Sequence, residues 1–215
     1  MYQPPHFRED RLEVLHQLIR SHPLGLLISG GPDGPVADPL PFLIEAGGGP
    51  NGTLLAHMSK ANPHWRIIGD HPAAPTLVVF QGRQAYVTPS WYETKRQTGK
   101  VVPTWNYVTV QARGRAEIIH DADWLSAQIN TLTNTHEGDR AAPWKVSDAP
   151  EDFVRAQIKG IVGLRIAIDS IEGKWKMSQN RPANDRSGVA EGFEADDNPA
   201  MAALVRERAK PVGEG

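Results

Sequence analysis

The sequence predicts a mainly β protein with helices inserted between the strands, arranged as an antiparallel barrel rather than a parallel α/β sheet. About seven segments have the length and patterning of strands. Most connections between them are short, and no regular strand–helix–strand alternation appears. The 18 prolines and 20 glycines in 215 residues indicate many turns.

The N-terminal part of the chain predicts one helix followed by a hairpin. Apolar residues recur at helical spacing over residues 10–19, and a His-Pro pair ends that segment. Strands are expected at 24–29 and 36–45, joined by a turn rich in glycine. Because proline cannot donate to a ladder, Pro39 and Pro41 predict that the second strand is irregular or lies at a sheet edge.

The rest of the chain alternates short strands with helices. A strand at 53–58 leads into a short helix that Asn62-Pro63 opens and that runs to Ile68. Gly114 is interpreted as a bulge between two strands, and Asp123 as the cap of a helix. The tail is expected to be irregular over 181–197, with a short final helix from Asn198. The other expected strands cover 76–81, 85–88, 105–112, 116–119 and 161–171, and another helix starts near 148.

Composition excludes several classes of function. The chain has no cysteine, which removes disulfides, thiolate nucleophiles, iron–sulfur clusters and cysteine zinc sites. A net charge of −2 and a pI near 6.4 disfavour direct nucleic-acid binding. No apolar run approaches the ~20 residues that span a bilayer, and residues 1–10 have no apolar signal core. We therefore expect a cytoplasmic protein.

Three stretches carry candidate binding residues. In residues 57–65, Ser59, Lys60 and Asn62 stand where a strand passes into a helix start, and such a start offers free N–H donors to a phosphate. An ordinary helix cap beside a solvated lysine explains the same residues. The pattern alone leaves both interpretations open.

The second stretch, residues 88–107, concentrates aromatic side chains. The residues that suit the walls of a site for a planar heteroaromatic ligand are Trp91, Tyr92, Trp105 and Tyr107, and Asn106 or Thr104 could fix the edge of that ligand. Packing in the core or in a dimer interface is the alternative. The two interpretations overlap if the ligand lies in an interface.

The third stretch, residues 173–181, combines cations with amide and hydroxyl groups. Lys176, Ser178, Gln179 and Arg181 could pair with a phosphate or with the electron-rich edge of a flavin ring. The alternative is a surface turn.

Other constellations indicate little. His57, His64 and His71 are spaced by seven, but the intervening prolines break any common helical face, so no metal site is predicted. Asp38 lies on the hairpin with no evident acid–base partner. Composition permits Ser-His-Asp chemistry without indicating it.

Taken together, the segments resemble the PaiB-type family of FMN-binding transcriptional regulators. The resemblance rests on six stretches that appear in order: Met1-Tyr2-x-Pro4-x-x-Phe7, Pro41-Phe42, His57-Met58-x-x-Ala61-Asn62-Pro63-His64-Trp65, Val87-x-Pro89-Ser90-Trp91-Tyr92, Val102-Pro103-Thr104-Trp105-Asn106-Tyr107 and Lys174-Trp175-Lys176-Met177-Ser178-Gln179-Asn180-Arg181. In one place the chain departs from the pattern. It has Pro39-Leu40-Pro41-Phe42 where the family has His-Leu-Pro-Phe. If that histidine contacts the ligand in relatives, the contact is missing here.

The resemblance implies a split β-barrel related to the pyridoxamine-phosphate-oxidase-like flavoproteins, with FMN bound at the interface of a homodimer. Residues 1–189 would form this domain, and residues 190–215 a tail with a short helix. Phosphate contacts are expected from Ser59, Lys60 and Asn62. Ring contacts are expected from Trp91, Trp105, Asn106, Lys176, Ser178 and Gln179. The role would be regulatory or redox, and no catalytic residue is assigned.

Two alternatives remain open from the sequence. A repressor that binds DNA directly would match the family's description, but no helix–turn–helix pair is present and the first helix has an acidic start. Haem binding, which related split barrels perform, is permitted by the histidines.

Overall fold

The computed structural model describes residues 1–209, and within them an antiparallel sheet of eight strands is accompanied by seven α-helices. The strands are β1 (Arg8–Glu9), β2 (Leu24–Gly31), β3 (Gly34–Pro41), β4 (Leu43–Glu45), β5 (Thr53–Ser59), β6 (Thr76–Val87), β7 (Thr104–Ile119) and β8 (Ile161–Lys176). The helices are α1 (Leu12–Ser21), α2 (His64–Asp70), α3 (Glu93–Thr98), α4 (Ala122–Glu137), α5 (Glu151–Lys159), α6 (Ala183–Ala195) and α7 (Pro199–Ala209).

Hydrogen bonding orders the strands β3-β2-β6-β7-β8-β5-β4, and β1 pairs with β8. The hairpin of β2 and β3 is in register from Leu24 opposite Pro41 to Gly31 opposite Gly34. The mainly β, antiparallel prediction is confirmed. The prediction from Pro39 and Pro41 is confirmed too, since β3 ends the strand order.

The chain divides into two compact units. Among the described residues, unit 1 comprises Met1–Arg11, Gln81–Val110 and residues 172–209, and unit 2 comprises Leu12–Phe80 and Gln111–Ile171. The core of unit 2 is aliphatic, built around strand residues that have almost no exposed surface: Leu27, Leu54, Val78, Leu164 and Ile166. The core of unit 1 is more aromatic and includes Tyr92, Trp175, Met177, Val189 and Phe193.

Two expected strand breaks are absent. Residues 76–87 form the single strand β6, and residues 104–119 form the single strand β7. Gly114, interpreted as a bulge, lies within an unbroken alternation of buried and more exposed residues. A Cβ at this position would lie 2.0 Å from the backbone oxygen of Ala167. Gly114 is therefore needed for close backbone approach, and the bulge interpretation was wrong.

Other element boundaries also needed correction. Asp121, rather than Asp123, caps α4, because its carboxylate accepts a hydrogen bond of 2.7 Å from the Trp124 backbone N–H. Strand β8 continues five residues past the expected end at 171 to Lys176, where β1 pairs with it: Arg8 lies opposite Lys174, and Glu9 opposite Gly173. The error in β8 arises because β1, which is distant in sequence, pairs with its final residues, and local patterns do not encode this pairing.

The tail expected to be irregular contains helix α6. Its glycines weaken helix propensity, which is why residues 183–195 show no helical pattern in the sequence. A Cβ at Gly188 would lie 2.1 Å from the Trp91 backbone oxygen, and one at Gly192 only 2.3 Å from the Trp91 ring. Packing against Trp91 therefore overrides propensity. The final helix α7 is confirmed, residue 189 lies inside α6, and residues 210–215 of the expected tail lie outside the described residues.

The role of Gly114 can be tested by a single substitution. Gly114→Ala should destabilise the protein by about 3 kcal/mol, because the added methyl group meets a backbone carbonyl that cannot rotate away. Gly30→Ala is the matched control, since a Cβ there meets nothing within 4 Å. Its effect should stay within about 1 kcal/mol. Urea unfolding measures both, and equal effects would contradict the close approach.

A buried carboxylate in unit 1 predicts a pH dependence of stability. Burial alone would raise the pKa of Glu9, but hydrogen bonds from Arg11 and Arg208 lower it from 4.5 to about 2. The Glu9 carboxylate lies 2.7 Å from Arg11 Nη2 and 2.5 Å from Arg208 Nη1. Stability from this group is present above pH 4.5 and lost as the pH falls toward 2.

Glu9→Gln should therefore cost about 2 kcal/mol at pH 7, after allowance for solvent screening, and progressively less on acidification. Urea unfolding at pH 7 and pH 3 measures the difference. Glu151→Gln, which breaks an exposed pair with Arg155 on α5, is the control and should change little at either pH. A Glu9→Gln effect that is independent of pH would contradict the assignment.

Candidate functional site

In unit 1, the start of β7 and the end of β8 bring together residues that are about 70 positions apart in sequence. The Lys176 ammonium, at the end of β8, donates to the Thr104 hydroxyl and to the Trp105 backbone oxygen at the start of β7. The Ser178 hydroxyl donates to Asn106 Oδ1 over 3.1 Å. Trp105, Asn106, Lys176 and Ser178, four of the nine expected contact residues, thus form one cluster, which we call the Trp105–Lys176 cluster.

Asn106 is the most buried member of the cluster. Its side chain has no exposed surface, and its Nδ2 has no hydrogen-bond partner among the described residues. A buried donor without a partner costs about 1–3 kcal/mol. The residue therefore carries hydrogen-bonding capacity that the protein does not use internally.

The turn that follows β8 is held in an uncommon conformation. Ser178 has a φ of 62°, in the left-handed region that disfavours residues with a Cβ. Gln179 stabilises the turn, because its Oε1 accepts from the Met177 N–H and its Nε2 donates to the Trp175 carbonyl oxygen, both at 2.6 Å. Gln179 therefore has a clear structural role in fixing Ser178.

Three cations surround this turn. The pKa of Lys176 is lowered from its ordinary value of 10.5, first because burial removes water from the ammonium and then because Lys174 and Arg181 repel its charge. Lys174 is itself only 7% exposed, and its ammonium donates to the Tyr2 carbonyl oxygen. No carboxylate pairs with Lys176 within residues 1–209. An anion bound here would relieve the repulsion.

Aromatic rings stand beside these charges. Trp105 is 52% exposed and Tyr86 48% exposed, and their rings meet edge to face with centroids 6.2 Å apart. Lys174 lies 5.3 Å from the centroid of the Tyr107 ring. Arg181 lies 4.7 Å from that of Tyr92, whose pKa is raised chiefly by burial. Exposed aromatic surface next to these cations suits a planar ligand that carries negative charge.

Trp91 has a different environment. Its ring packs edge to face against Phe193 at 5.0 Å and covers the glycine face of α6. This packing builds the core of unit 1.

The three expected phosphate contacts lie in unit 2, in the loop Ser59–Asn62 between β5 and α2. The Ser59 hydroxyl oxygen accepts from the Ala61 N–H at 3.1 Å, and Asn62 Oδ1 accepts from the His64 N–H at 2.9 Å. The Lys60 ammonium donates to the Lys159 carbonyl oxygen at 2.7 Å and so caps the end of α5. Each side chain thus already makes one bond within the protein, and Lys60 is not the freely solvated lysine of the ordinary-cap interpretation. Contact of these residues with a phosphate stays a prediction.

Unit 2 also contains a cavity of about 480 Å³. None of the nine expected residues lines it. Its walls are largely apolar, and His57 Nδ1 lies 2.8 Å from Oε1 of Gln128 in the lining. The lining includes Phe42, Leu43, Ile44, Leu55, Trp124 and Gln128.

The sequence does not predict one buried polar network, which His64 forms with Asp38 and Ser29. His64 lies within 2.7 Å of both Asp38 and Ser29, so Asp38 has the partner that the sequence did not reveal. No local pattern joins residues 26 and 35 positions apart. Within residues 1–209, no group of three His, Cys, Asp or Glu residues is placed to hold a metal ion. None of the helices in that range is both long and apolar enough to span a membrane.

Known structures share this architecture. An FAD and heme binding protein from Mycobacterium smegmatis superposes with a TM-score of 0.58 at 20% identity, covering 79% of this chain and 73% of the other. A flavocytochrome, Anf3, from Azotobacter vinelandii gives a TM-score of 0.56 at 14% identity, covering 79% and 69%. The fold is that of a split β-barrel.

Sequence comparison then gives the family. Residues 1–170 match the family described as "Putative FMN-binding domain", and the chain belongs to that family. An uncharacterized protein of Emericella nidulans is 38% identical over 97% of each chain. Protease synthase and sporulation protein PAI 2 of Bacillus subtilis is 28% identical over 98% of this chain and 99% of its own. The PaiB-type resemblance is confirmed, and FMN is the cofactor that family membership assigns to the chain.

The unit 1 cluster fits an FMN molecule in chemical terms. It offers exposed aromatic surface, a buried donor without a partner and three cations. The matched region contains the Ser59–Asn62 loop, Trp105 and Asn106, and it ends before Lys176.

Proposed function

We propose that this protein is an FMN-binding homodimer with a redox or flavin-sensing regulatory role. The Trp105–Lys176 cluster would contact the flavin ring, and Ser59, Lys60 and Asn62 would contact the phosphate. In a homodimer, these two sets of contacts can come from different copies of the chain. Trp91 and Gln179 would support the ring site by fixing α6 and the Ser178 turn.

The environment of Lys176 is the observation that carries the proposal. A half-buried ammonium whose pKa is lowered by burial and by two neighbouring cations is unfavourable in the free protein. Functional sites commonly accept such a cost, because binding of the ligand removes it. The gathering of three cations near the exposed Trp105 ring supports a site for a planar anionic ligand.

The residues of the chain would divide the work of binding. FMN supplies electron-transfer chemistry when it is bound. Trp105 would cover the ring and exclude water, while Asn106 would donate to a ring acceptor. Lys176 would stabilise negative charge on the ring, which favours the reduced form.

Freshly purified protein should be yellow and show flavin absorbance, with FMN identified by mass spectrometry of the released ligand. Added FMN should raise the melting temperature, since binding at a hundredfold excess over Kd stabilises by about 2.7 kcal/mol. Light scattering should give the mass of a dimer. Colourless protein with no FMN-dependent shift would contradict the cofactor, and a monomer would contradict the shared site.

Lys176→Met should weaken FMN binding at least about tenfold, because a charge-assisted hydrogen bond contributes about 1.5–3 kcal/mol. The midpoint potential of any flavin that remains bound should fall, and about 30 mV corresponds to 1.4 kcal/mol for a two-electron couple. Fluorescence titration and potentiometry measure the two effects. Lys145→Met, at an exposed lysine of unit 2, is the control and should change neither.

The lowered pKa of Lys176 also predicts a pH dependence of binding. The Lys176 ammonium loses its proton at a lower pH than an ordinary lysine does. As the pH is raised, FMN affinity should therefore begin to decrease before the pH reaches 10.5. The same titration with Lys176→Met should lack this phase. Identical pH profiles for the two proteins would contradict the proposed contact between Lys176 and the flavin.

The alternatives predict different spectra and complexes. Haem binding requires a Soret band when haemin is added to the purified protein. Direct DNA binding requires a gel-shift at low salt and micromolar protein. The proposal predicts neither result.

A further inference from the structure

Three polar side chains in unit 2 form a chain of hydrogen bonds. His64, the first residue of α2, has no exposed surface. Its Nε2 lies 2.7 Å from the hydroxyl oxygen of Ser29 on β2, and its Nδ1 lies 2.7 Å from Oδ2 of Asp38 on β3. The imidazole therefore ties the start of α2 to both strands of a hairpin.

The chemistry of the partners gives the direction of both bonds for a neutral imidazole. A carboxylate only accepts hydrogen bonds, so Nδ1 donates its proton to Asp38. In the neutral imidazole, Nε2 is then the acceptor, and the Ser29 hydroxyl donates to it. The bond to Asp38 is the stronger of the two, because its acceptor carries charge.

The connectivity is that of a serine-hydrolase triad, but the surroundings indicate a different role. A catalytic imidazole must pass a proton to a leaving group, and His64 has no surface on which to do so. Ser29 is only 8% exposed and lies within the β2 ladder, opposite Val36. The nucleophilic interpretation is therefore disfavoured, and the network acts on its neighbours.

The neighbour that the network controls is the Ser59–Asn62 loop. The His64 backbone N–H donates to Asn62 Oδ1 at 2.9 Å, and the Asn62 N–H donates to the Ser59 carbonyl oxygen at 3.0 Å. Through these bonds, the position of the imidazole sets where the loop ends. A loop held by a sheet hairpin pays less ordering entropy when it binds a ligand.

We propose that His64, held between Asp38 and Ser29, is a positioning residue that orients the Ser59–Asn62 loop toward a phosphate monoester. This inference rests on the proposed function, in which the loop binds the phosphate of FMN. It predicts a selective effect, in which loss of the network weakens recognition of the phosphate and leaves recognition of the ring unchanged.

The affinity ratio of FMN to riboflavin isolates the phosphate, because the two ligands share the ring. The wild-type protein should bind FMN at least about tenfold more tightly than riboflavin. His64→Gln removes the bond to Asp38. The affinity ratio should then fall about tenfold, because FMN binds more weakly while riboflavin affinity stays the same. His64→Asn can still donate to Asp38, because its Nδ2 takes the place of Nδ1, and should retain most of the ratio.

Controls separate this effect from a loss of folding. His71→Asn, at the exposed C-cap of the same helix, should leave the ratio unchanged. Near-UV circular dichroism and the melting temperature of the unliganded protein report folding. If the His64 variants do not fold, Asp38→Asn and Ser29→Ala carry the test, since each removes or weakens a single bond of the network.

Each outcome bears on a different claim. A wild-type protein that binds FMN and riboflavin equally would contradict the phosphate role of the loop, and so the proposed function itself. The role of His64 would be overturned if the wild-type protein prefers FMN to riboflavin and the folded His64 variants keep the same affinity ratio. Labelling of Ser29 by a fluorophosphonate would also overturn it, because it would identify a nucleophile.

Discussion

The pairing of β8 is the constraint on which the rest of the structure depends. In unit 2, its first part pairs with β5 from Ile161 opposite Ser59 to Ala167 opposite Thr53, which fixes where the Ser59–Asn62 loop begins. In unit 1, its last part pairs with β1, and Lys174 lies opposite Arg8. Gly114 and Gly163 permit close packing at this strand, since a Cβ at either would meet Ala167 or Trp124 at about 2 Å.

Three cations of unit 1, Lys174, Lys176 and Arg181, lie on this strand and just after it. Folding places Lys174, Lys176 and Arg181 close enough to lower the pKa of Lys176. It also leaves Asn106 Nδ2 without a partner among the described residues. Both features oppose stability, and a sequence selected for stability alone would remove them. Their presence together beside exposed aromatic rings supports a ligand site.

Several expected contact residues have structural roles that the sequence could not separate from binding. Lys60 caps α5, Gln179 holds the Ser178 turn, and Trp91 packs on the glycine face of α6. A helix start, an amide and a tryptophan serve either purpose with the same atoms. Only their contacts show which bonds are already made within the protein.

The sequence by itself determined the mainly β, antiparallel class, the edge position of the strand with Pro39 and Pro41, and the segments that contain the candidate site. These features follow from turn chemistry and residue periodicity, which act over a few residues. The tertiary structure alone decided which side chains meet: Asn106 with Ser178 across 72 positions, and Asp38 with His64 across 26. It also made a helix of residues 183–195, because packing on Trp91 outweighs the low propensity of Gly188 and Gly192. Such pairings depend on strand register and on packing between distant segments, and no local pattern encodes either.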